Sequence, residues 1–490
     1  MTAKFVVAMD LGTTGNRAIA FAKDGSVAAK AYYEFPQIFP EPGWVEHNPA
    51  DILDTAFKAL KEVAGAVGAA NIDSIGITNQ RETTVIWNKK TGKPVYNAIV
   101  WQCRRTENIC ARLNEHARTL KEKTGLFLDP YFSATKIKWI LDNVPGAVQA
   151  AEKGELLFGT VDTWLLWNLT GGKAHATEPS NASRTLVYDI KTLKFSKELL
   201  DIFAIPESLL PEVKDSDALF GVTDKKLLGL EIPVHGILGD QQASLFAHCG
   251  WEEGVIKSTY GTGIFVLTAL KGKAPETSSL ITTVAWARQG KTAYALEGSA
   301  FMGGASIQWL RDNLKLIKSA PETEQIAASL YGNEGVYFVP AFQGLGAPYW
   351  DANARGLIIG LSRKSNSATI VRAAVESLAY QVKDIMIEMK KVSQEDFKVL
   401  RADGGAAANN FLMQFQSDTL TMPVERSGLI DTTALGAAAV SALATGFWTL
   451  EEFKSIRGAV KTFVPAEKGN PAEMAYGGWK KAVEKSRNWL

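Results

Sequence analysis

The stretch FVVAMDLGTTGNRAIAFA, residues 5–22, decides the fold. Two apolar runs flank a short segment rich in Gly and Thr, which predicts two strands joined by a tight turn. Asp10 follows the first run, so its carboxylate stands beside the backbone N–H groups and hydroxyls of the turn. A carboxylate next to such donors is the chemistry that holds a Mg²⁺-bound polyphosphate. The stretch therefore predicts a phosphate-binding turn.

A second turn of similar composition lies about half a chain later. It is STYGTG, residues 258–263, and it stands between the apolar segments VIK and IFVLT. The first turn alone could equally be an ordinary hairpin with a structural Asp. Two such turns, one in each half, favour a nucleotide held between two lobes. The sequence has no G-x-x-x-x-G-K-[ST] segment, so phosphate binding is assigned to these turns.

Strands and helices alternate along both halves of the chain. In the first half, the patterns predict strands at RAIAFA, SVAAKAYYEF, SIGIT, TTVIW and PVYNAIVW, and a helix at DILDTAFKALKEVAGAV. Asp24-Gly25 closes a hairpin, and NKKTGK joins the last two strands. In the second half, strands are predicted at TAYALEGSA and VLRADGG, and helices at GASIQWLRDNL, TIVRAAVESLAYQVKDIMIEM and NNFLMQFQSDTL. This alternation predicts an α/β layer architecture.

The length of the chain indicates more than one domain. With 490 residues it exceeds what one hydrophobic core usually supports, so two or three domains are expected. The predicted helix DQQASLFAH ends the first set of elements, which places the boundary near His248 to Gly250. The expected domains are therefore residues 1–248 and 249–490.

Charge and composition argue against several kinds of partner. The net charge of +1 argues against a nucleic-acid surface, which needs clustered uncompensated Lys and Arg. Residues 432–450 carry no charge, but their small side chains predict a buried helix and no membrane insertion. The three cysteines are odd in number, and no apolar leader precedes Asp10. These features favour a reducing, cytoplasmic location.

The first turn offers several groups to a phosphate. Gly12 can adopt dihedral angles closed to other residues, while Thr13 and Thr14 provide hydroxyls. Arg17 adds a cation within reach of a terminal phosphate. Asp10 supplies the hard oxygen that Mg²⁺ prefers, often through water.

The segment ITNQRETTVIW carries adjacent residues of opposite charge. In a regular strand, Arg81 and Glu82 would point to opposite faces, whereas in a connecting turn both can converge on one ligand. A cation that only donates and an anion that only accepts hydrogen bonds suit a neutral polyhydroxy molecule. On spacing alone, a salt-bridged turn at the surface is the favoured alternative.

The segment GILGDQQASLF places an acid between a predicted strand and a predicted helix. Asp240 is a candidate general base, since a hydroxyl that attacks phosphorus must lose its proton. The alternative is an N-cap Asp, and both roles can hold together because a helix N-terminus also stabilises a carboxylate. Phe265, just after the second turn, can pack against substrate C–H groups, although core packing is the commoner role of a lone Phe.

Taken together, these residues resemble the FGGY family of carbohydrate kinases, and within it the members that act on glycerol. The resemblance covers nearly the whole chain and is carried by DLGTTGNRA, EPGWVEHNP, ITNQRETTVIW, AIVWQCRRT, DPYFSATKIKWILDN, GDQQASLF, STYGTGIF, GGASIQWLRD, RADGGAAANNFLMQFQSD and TALGAA. It implies a two-lobed ribonuclease H-like, actin-like ATPase fold with the active site in the interdomain cleft. It also implies ATP and Mg²⁺ as cofactors, phosphorylation of glycerol with release of ADP, and a homodimer or homotetramer.

The resemblance also assigns roles to individual residues. It implies a glycerol pocket lined by Arg81, Glu82, Trp101, Tyr131, Asp240, Gln241 and Phe265. It implies phosphate contacts from Thr13, Thr14, Gly15 and Arg17 in one lobe and from Thr262 in the other. The rest of ATP would meet Gly304, Gln308, Gly405 and Asn409. Asp10 would organise Mg²⁺, and the catalytic residues would be Arg81 and the base Asp240.

Several positions depart from the family pattern. Leu11 stands where Gln or Glu is usual, and Gly15-Asn16 replaces a pair that begins with serine. Because Gly15 has no hydroxyl, one phosphate contact is expected to be missing, which bears on ATP affinity and not on ATP use. Thr369 replaces a His or an acid near a predicted helix start, where Thr can act as a cap. The stretch TDKKLLGLEIPVHG lacks the Gly- and Arg-rich loop that binds fructose 1,6-bisphosphate in some bacterial relatives.

Two other functions fit part of this pattern. One is an FGGY kinase for another small polyol or a ketose, which would share the phosphate turns but seldom the NQRETT and VWQCRRT segments. The other is an actin-like or chaperone-like ATPase in which hydrolysis drives a conformational switch. That second function leaves Arg81, Glu82 and Asp240 without a role.

Overall fold

Several candidate site residues of the first half lie at the carboxyl ends of parallel strands and not in a single loop. The structure is a computed structural model that describes residues 5–277, 279–428, 431–456, 460–467 and 470–490. The strands of the first half are β1 Phe5–Leu11, β2 Gly15–Phe21, β3 Val27–Glu34, β4 Glu46–His47, β5 Ile72–Asn79, β6 Val85–Asn88, β7 Ala98–Ile99, β8 Leu156–Gly159, β9 Ala176–Thr177, β10 Tyr188–Asp189, β11 Lys194–Phe195, β12 Glu212–Val213, β13 Leu219–Val222 and β14 Pro233–Gly239. The strands of the second half are β15 Val255–Tyr260, β16 Ile264–Leu270, β17 Ile281–Arg288, β18 Lys291–Ala300, β19 Tyr337–Val339, β20 Leu357–Ile359, β21 Val399–Asp403, β22 Val424–Ser427 and β23 Val460–Phe463.

Helices connect these strands and cover the sheets. Those of the first half are α1 Pro49–Val67, α2 Glu107–Arg112, α3 Ala117–Thr124, α4 Ser133–Asn143, α5 Ala147–Glu152, α6 Val161–Leu169, α7 Pro179–Ala182, α8 Lys197–Phe203, α9 Lys225–Leu228 and α10 Asp240–Ala247. Those of the second half are α11 Gly304–Asp312, α12 Glu322–Ala328, α13 Ser367–Ser393, α14 Asn410–Leu420, α15 Thr432–Thr445, α16 Leu450–Ile456 and α17 Pro471–Ser486.

The large sheet of the first lobe contains six strands in the order β13-β14-β5-β1-β2-β3. β1, β2 and β3 are successive antiparallel strands, as the sequence predicts, and Gly25 turns the second hairpin at a φ of +80°. β5 is parallel to β1, and β14 is parallel to β5. Three parallel strands therefore carry site residues at their carboxyl ends, on the same side of the sheet: Asp10 on β1, the 80–84 turn after β5 and Asp240 after β14.

The sheet of the second lobe repeats this topology. Its seven strands lie in the order β17-β18-β16-β15-β21-β22-β23. β15 pairs antiparallel with β16, β16 pairs antiparallel with β18, and β21 and β22 continue the sheet in parallel on the other side of β15. The five strands β3-β2-β1-β5-β14 of the first lobe therefore have the same order and directions as β18-β16-β15-β21-β22 of the second. The chain has the predicted two-lobed, actin-like α/β fold.

Two helices pack closely between the lobes. α15 covers the face of β1, β5 and β14, and α10 lies between α15 and the strands β15 to β17. Glycine permits this approach, because a Cβ atom on Gly436 would lie 1.9 Å from the Ala243 carbonyl oxygen and one on Gly76 would lie 2.2 Å from the Ala437 oxygen. The uncharged segment predicted to be a buried helix is α15, with Ala434 and Ala438 fully buried. Within the part of the chain that the structure describes, no helix has the length and apolar character needed to span a membrane.

The structure corrects two local predictions. PVYNAIVW is not one continuous strand, since only Ala98–Ile99 forms a regular strand, which pairs with β4. β6 pairs with β8 and meets the segment only in an isolated bridge between Trp87 and Pro94. The reason is that the segment is divided between two partners. Tyr96 and Asn97 donate hydrogen bonds to Glu46 at 2.8 and 2.7 Å, while the backbone of Val95 donates to the Ile86 oxygen of β6 at 2.9 Å. Asn366, not Thr369, is the N-cap of α13, although Thr369 completes a capping box with it.

Candidate active site

The first phosphate turn lies directly after β1. Asp10 is opposite Arg17 in the β1–β2 pair, and its Oδ2 lies 3.3 Å from the Arg17 Nε. Arg17 Nη1 also donates to Asp431 at 2.9 Å, so this cation joins a first-lobe acid to an acid at the start of α15. Burial raises the pKa of Asp10 to about 6, with Arg17 opposing the shift and Asp240 and Asp431 adding to it. Asp10 is thus a buried acid close to the other carboxylates of the site.

The same turn contacts residues assigned to the glycerol pocket. Trp101 Nε1 donates to the Thr13 hydroxyl at 3.0 Å, and its backbone N–H donates to the Thr83 hydroxyl at 3.2 Å. The Trp101 ring meets the Tyr131 ring edge-on, with 5.7 Å between centroids. The structure therefore places one aromatic pair beside both the phosphate turn and the turn that carries Arg81.

Arg81 and Glu82 lie in the connecting turn between β5 and β6, and not in a strand. Glu82 has a φ of +60°, which is unusual for a non-glycine residue and turns the chain sharply. The exposed fractions are 3% for Arg81 and 1% for Glu82. The alternative of a salt-bridged turn at the surface was therefore wrong, because this pair of charges is buried.

Two residues that the sequence reasoning missed complete the charge balance of this turn. Glu297, on β18 of the second lobe, accepts two hydrogen bonds from Arg81 at 2.6 and 3.2 Å. Arg184 donates to Glu82 at 2.6 Å and to Glu297 at 3.0 Å. Although burial acts to raise it, the charges of Arg184 and Arg81 lower the pKa of Glu297 to about 2. Burial raises the pKa of Glu82, and Arg184 and Arg81 oppose that shift.

Asp240 is the first residue of α10, and its Oδ1 lies 3.2 Å from the Arg81 Nε. The N-cap position belongs to Gly239, so the alternative that made Asp240 the N-cap was wrong by one residue. Gly239 is required there, because a Cβ atom would lie 2.8 Å from both Cγ and Cδ of Arg81. The side chain of Asp240 is 32% exposed, which leaves the acid accessible from the cleft.

A buried lysine lies behind the helix start. Lys257 on β15 donates to the Gln241 side-chain oxygen at 2.6 Å, and neither residue is more than 9% exposed. Burial lowers the pKa of Lys257 to about 8, against the opposing charges of Asp403 and Asp240. No local pattern in the sequence marks this lysine, because it occupies an ordinary inward position of a strand.

The second phosphate turn connects β15 and β16 and is shaped by backbone contacts. Gly304 donates to the Gly261 oxygen at 2.8 Å, and the N–H groups of Gly303 and Ala305 donate to the Thr262 oxygen at 2.8 and 3.2 Å. The start of α11 is thereby held against the turn, and Thr262 keeps an exposed side chain. The structure thus brings Thr262 and Gly304 together, as the family resemblance implies.

The resemblance assigns three more residues to ATP, namely Gly405, Asn409 and Gln308. A Cβ atom on Gly404 would lie 2.6 Å from the Tyr260 oxygen, so the glycine turn containing Gly405 packs on the end of β15. Asn409 is the N-cap of α14 and donates to Thr323 at 3.1 Å. Gln308 is exposed on α11, one turn after Gly304. These contacts show where the residues lie; their role in binding ATP stays a prediction.

Asp403 at the end of β21 is a further residue that the sequence reasoning missed. It accepts hydrogen bonds from Ser244 at 2.6 Å, from Thr432 at 2.7 Å and from His248 at 3.0 Å. Burial acts to raise its pKa, but the bond from His248 and the charge of Lys257 hold it below its usual range. This carboxylate joins α10 and α15 to the second sheet.

The structure gives physical reasons for two departures from the family pattern. Gly15 has no room for a side chain, because a Cβ atom would lie 2.7 Å from the Tyr32 hydroxyl and 2.7 Å from the Tyr33 oxygen. Asn16 points away from the turn and donates to the Ile52 oxygen and the Thr55 hydroxyl, both at 2.8 Å. Gly15 can therefore offer only backbone groups to a phosphate, and Asn16 fastens α1 to the sheet.

The chemistry of the donors fits a magnesium ion that is shared with a nucleotide. Among the described residues, no group of three or more His, Cys, Asp or Glu side chains could hold a metal ion alone. Mg²⁺ commonly uses one or two carboxylates and completes its coordination with phosphate oxygens and water. Asp10, at the end of β1 beside the phosphate turn, fits such an arrangement.

Comparisons with known proteins agree over the whole chain. The model of the FGGY family of carbohydrate kinases, N-terminal domain, matches residues 5–247, and that of the C-terminal domain matches residues 256–445. The chain is 54% identical over 486 residues to a glycerol kinase of Aquifex aeolicus (strain VF5), covering 99% of each chain. It is 52% identical to glycerol kinase 2 of Thermotoga maritima, again over 99% of each.

A solved structure shows the same similarity. The glycerol kinase of Plasmodium falciparum with ADP superposes with a TM-score of 0.93 at 34% identity, covering 99% of this chain and 98% of the other.

Proposed function

The chain belongs to the FGGY family of carbohydrate kinases, and from this premise we propose that it phosphorylates glycerol. The γ-phosphoryl group of ATP passes to a terminal hydroxyl, which gives sn-glycerol 3-phosphate and ADP. The observation that carries the proposal is the 3.2 Å contact between Arg81 and Asp240 at the edge of the sheet next to Asp10. It supports a polyol site that is joined to a phosphate site.

Arg81 and Glu82 supply complementary groups to a small polyol. A guanidinium only donates hydrogen bonds and a carboxylate only accepts them. One hydroxyl of the polyol can therefore accept from Arg81 while a neighbouring hydroxyl donates to Glu82. Trp101 and Tyr131, which meet edge-on at 5.7 Å, provide an apolar wall for the C–H groups, together with Phe265 on β16. Such a pocket binds a short triol through a small number of side chains, so binding depends on the correct position of each of them.

Asp240 is placed to act as the base. A hydroxyl that attacks phosphorus loses its proton, and a carboxylate within hydrogen-bonding distance can accept it. The Arg81 Nε, 3.2 Å away, holds the acid in one orientation. Gln241, held by Lys257, follows Asp240 in α10 and steadies the start of the helix.

The two turns receive the nucleotide from opposite lobes. Thr13, Thr14 and Arg17 approach the phosphates from the first lobe and Thr262 from the second, while Gly304, Gln308, Gly405 and Asn409 bind the rest of ATP. Asp10 would hold Mg²⁺, which when bound neutralises charge on the phosphate oxygens. Alignment and neutralisation of charge account for most of the catalysis in phosphoryl transfer.

One experiment tests this function directly. ADP release is measured with glycerol, dihydroxyacetone, erythritol, xylulose or no acceptor present. We expect rapid release with glycerol and little without an acceptor, because a closed cleft excludes water as a competing acceptor. ATP consumption that is equal with and without glycerol would instead indicate an ATPase switch, and a preference for xylulose would indicate a ketose kinase.

We propose that residues 1–248 and 249–490 are the two kinase domains, that the protein is a homodimer or homotetramer, and that it acts in the cytoplasm. The first rests on the repeated sheet topology of the lobes. Sedimentation would measure the assembly. The short helix α9 occupies the stretch before β14, so we also propose that fructose 1,6-bisphosphate does not regulate the enzyme.

A further inference from the structure

We infer that Glu297 and Arg184 are positioning residues of the polyol pocket, so that a carboxylate of the second lobe holds both charged groups of the first-lobe turn. This inference rests on the proposed function, because it assigns Arg81 and Glu82 to that pocket. Neither Glu297 nor Arg184 belongs to the set of residues that the family resemblance assigned to the substrate.

Glu297 fixes the orientation of the Arg81 guanidinium. Its two oxygens accept from Nη1 and Nη2 of Arg81 at 2.6 and 3.2 Å, which is a bidentate contact. With both terminal nitrogens engaged, the Nε of Arg81 is the group that faces Asp240, at 3.2 Å. If Glu297 were absent, the terminal nitrogens would be available to the acid and would compete with the substrate for it.

Arg184 fixes the orientation of the Glu82 carboxylate in the same way. It donates to Glu82 at 2.6 Å and to Glu297 at 3.0 Å, so one guanidinium bridges the turn and the second lobe. The side chains of Arg184 and Glu297 have no exposed surface, and those of Arg81 and Glu82 are 2% exposed. Two positive and two negative charges therefore balance in a nearly dry cluster, where loss of one charge disturbs the others.

The contacts also cross between the two lobes. Glu297 lies on β18, in the sheet of the second lobe, while Arg81 follows β5 in the first. Arg184 follows α7, which packs on β17 beside β18. The charged groups of the pocket are therefore correctly placed only while the second sheet is docked against the first-lobe turn.

A matched pair of isosteric substitutions tests this inference. Glu297→Gln removes the charge of the positioning residue. Glu376→Gln makes the same change in another buried ion pair, in which Glu376 on α13 accepts from Arg372 Nε at 2.7 Å. We expect Glu297→Gln to raise the KM for glycerol and lower kcat, together by about 10²-fold in kcat/KM, the usual cost of a misplacement near 1 Å. We expect the KM for ATP to change by less than about twofold, because the residues proposed to bind ATP are unchanged. Glu376→Gln should lower the melting temperature and leave both KM values unchanged.

Glycerol binding without ATP provides a readout other than turnover. Wild-type protein and Glu376→Gln should both gain thermal stability when glycerol is added, and Glu297→Gln should lose that gain. A Glu297→Gln protein with wild-type KM for glycerol, kcat and thermal gain would overturn the inference. If wild-type protein gains stability from glycerol but does not phosphorylate it, the proposed function fails while the positioning role can still be measured.

A second variant keeps the test decisive if Glu297→Gln does not fold. Arg184→Lys retains the positive charge, but a single ammonium cannot reproduce the fork that joins Glu82 and Glu297. We expect it to raise the KM for glycerol at least about tenfold with little change in the KM for ATP. An unchanged KM for glycerol in folded Arg184→Lys would show that the cluster only supports the fold.

Discussion

The substitution Gly436→Ala should separate the two central helices and displace Asp240, the proposed base. A Cβ atom at this position would lie 1.9 Å from the Ala243 carbonyl oxygen and 2.5 Å from its carbonyl carbon. To reach the ordinary contact distance of 3.4 Å, α15 must move about 1.5 Å away from α10. The obstacle is backbone, so no side-chain rotation can relieve it.

The expected cost follows from packing. Overfilling a dense interior costs about 1–3 kcal/mol, and we expect about 3 kcal/mol here because a helix backbone must shift. The same shift affects catalysis, since α10 begins at Asp240, three residues before Ala243. A displacement of about 1 Å at a catalytic group can cost about 10²-fold in rate.

Urea unfolding and steady-state kinetics would measure both effects. Gly477→Ala is the matched control, because it makes the same change on the exposed face of α17, where no described atom lies within 4 Å of the new Cβ. That control should gain about 0.5–1 kcal/mol, since alanine is the better helix former. If Gly436→Ala has the stability and turnover of the wild type, the close crossing of α10 and α15 is not present in solution.

Three other predictions concern the site and the core. Asp240→Asn should lower kcat by about 10²–10⁴-fold, and near-normal turnover in a kinetic assay would remove Asp240 from the role of base. Arg81→Ala should mainly raise the KM for glycerol if its contact is equal in the ground and transition states, and unchanged glycerol kinetics would place the pocket elsewhere. Asp384, bonded by Trp479 at 2.7 Å, has its pKa raised to about 6 by burial, against the hydrogen bonds that it accepts. Because the folded protein then binds more protons than the unfolded chain between about pH 4 and pH 6, stability should fall by up to about 3 kcal/mol as the pH rises through that window. Asp384→Asn should reduce the pH dependence of the free energy of unfolding in this window, which urea unfolding at several pH values would measure. An equal pH dependence in both proteins would contradict the raised pKa of Asp384.

Much of the fold was predictable because it rests on local patterns. The apolar runs of β1 and β2, the glycine turn at Gly25 and the helical period of α1 are each encoded within a few neighbouring residues. The ends of β1, β5 and β14 could also be predicted to carry polar groups, since Asp10, the 80–84 turn and Asp240 follow apolar runs directly. PVYNAIVW misled the prediction because its apolar pattern resembles one strand, while in the fold the segment divides its contacts between Glu46 of β4 and the backbone of β6.

The sequence by itself therefore determined the two strand-turn-strand units, their repetition in both lobes and the identity of the groups at the first phosphate turn. Only the tertiary structure decided which charges meet. Arg81 and Glu297 are separated by 216 residues, and Glu82 and Arg184 by 102. No periodic pattern spans such distances, and a charged residue in a strand usually indicates a solvated face. Burial of Glu297 becomes possible only when two arginines from the other lobe neutralise it, and that condition exists only in the folded chain.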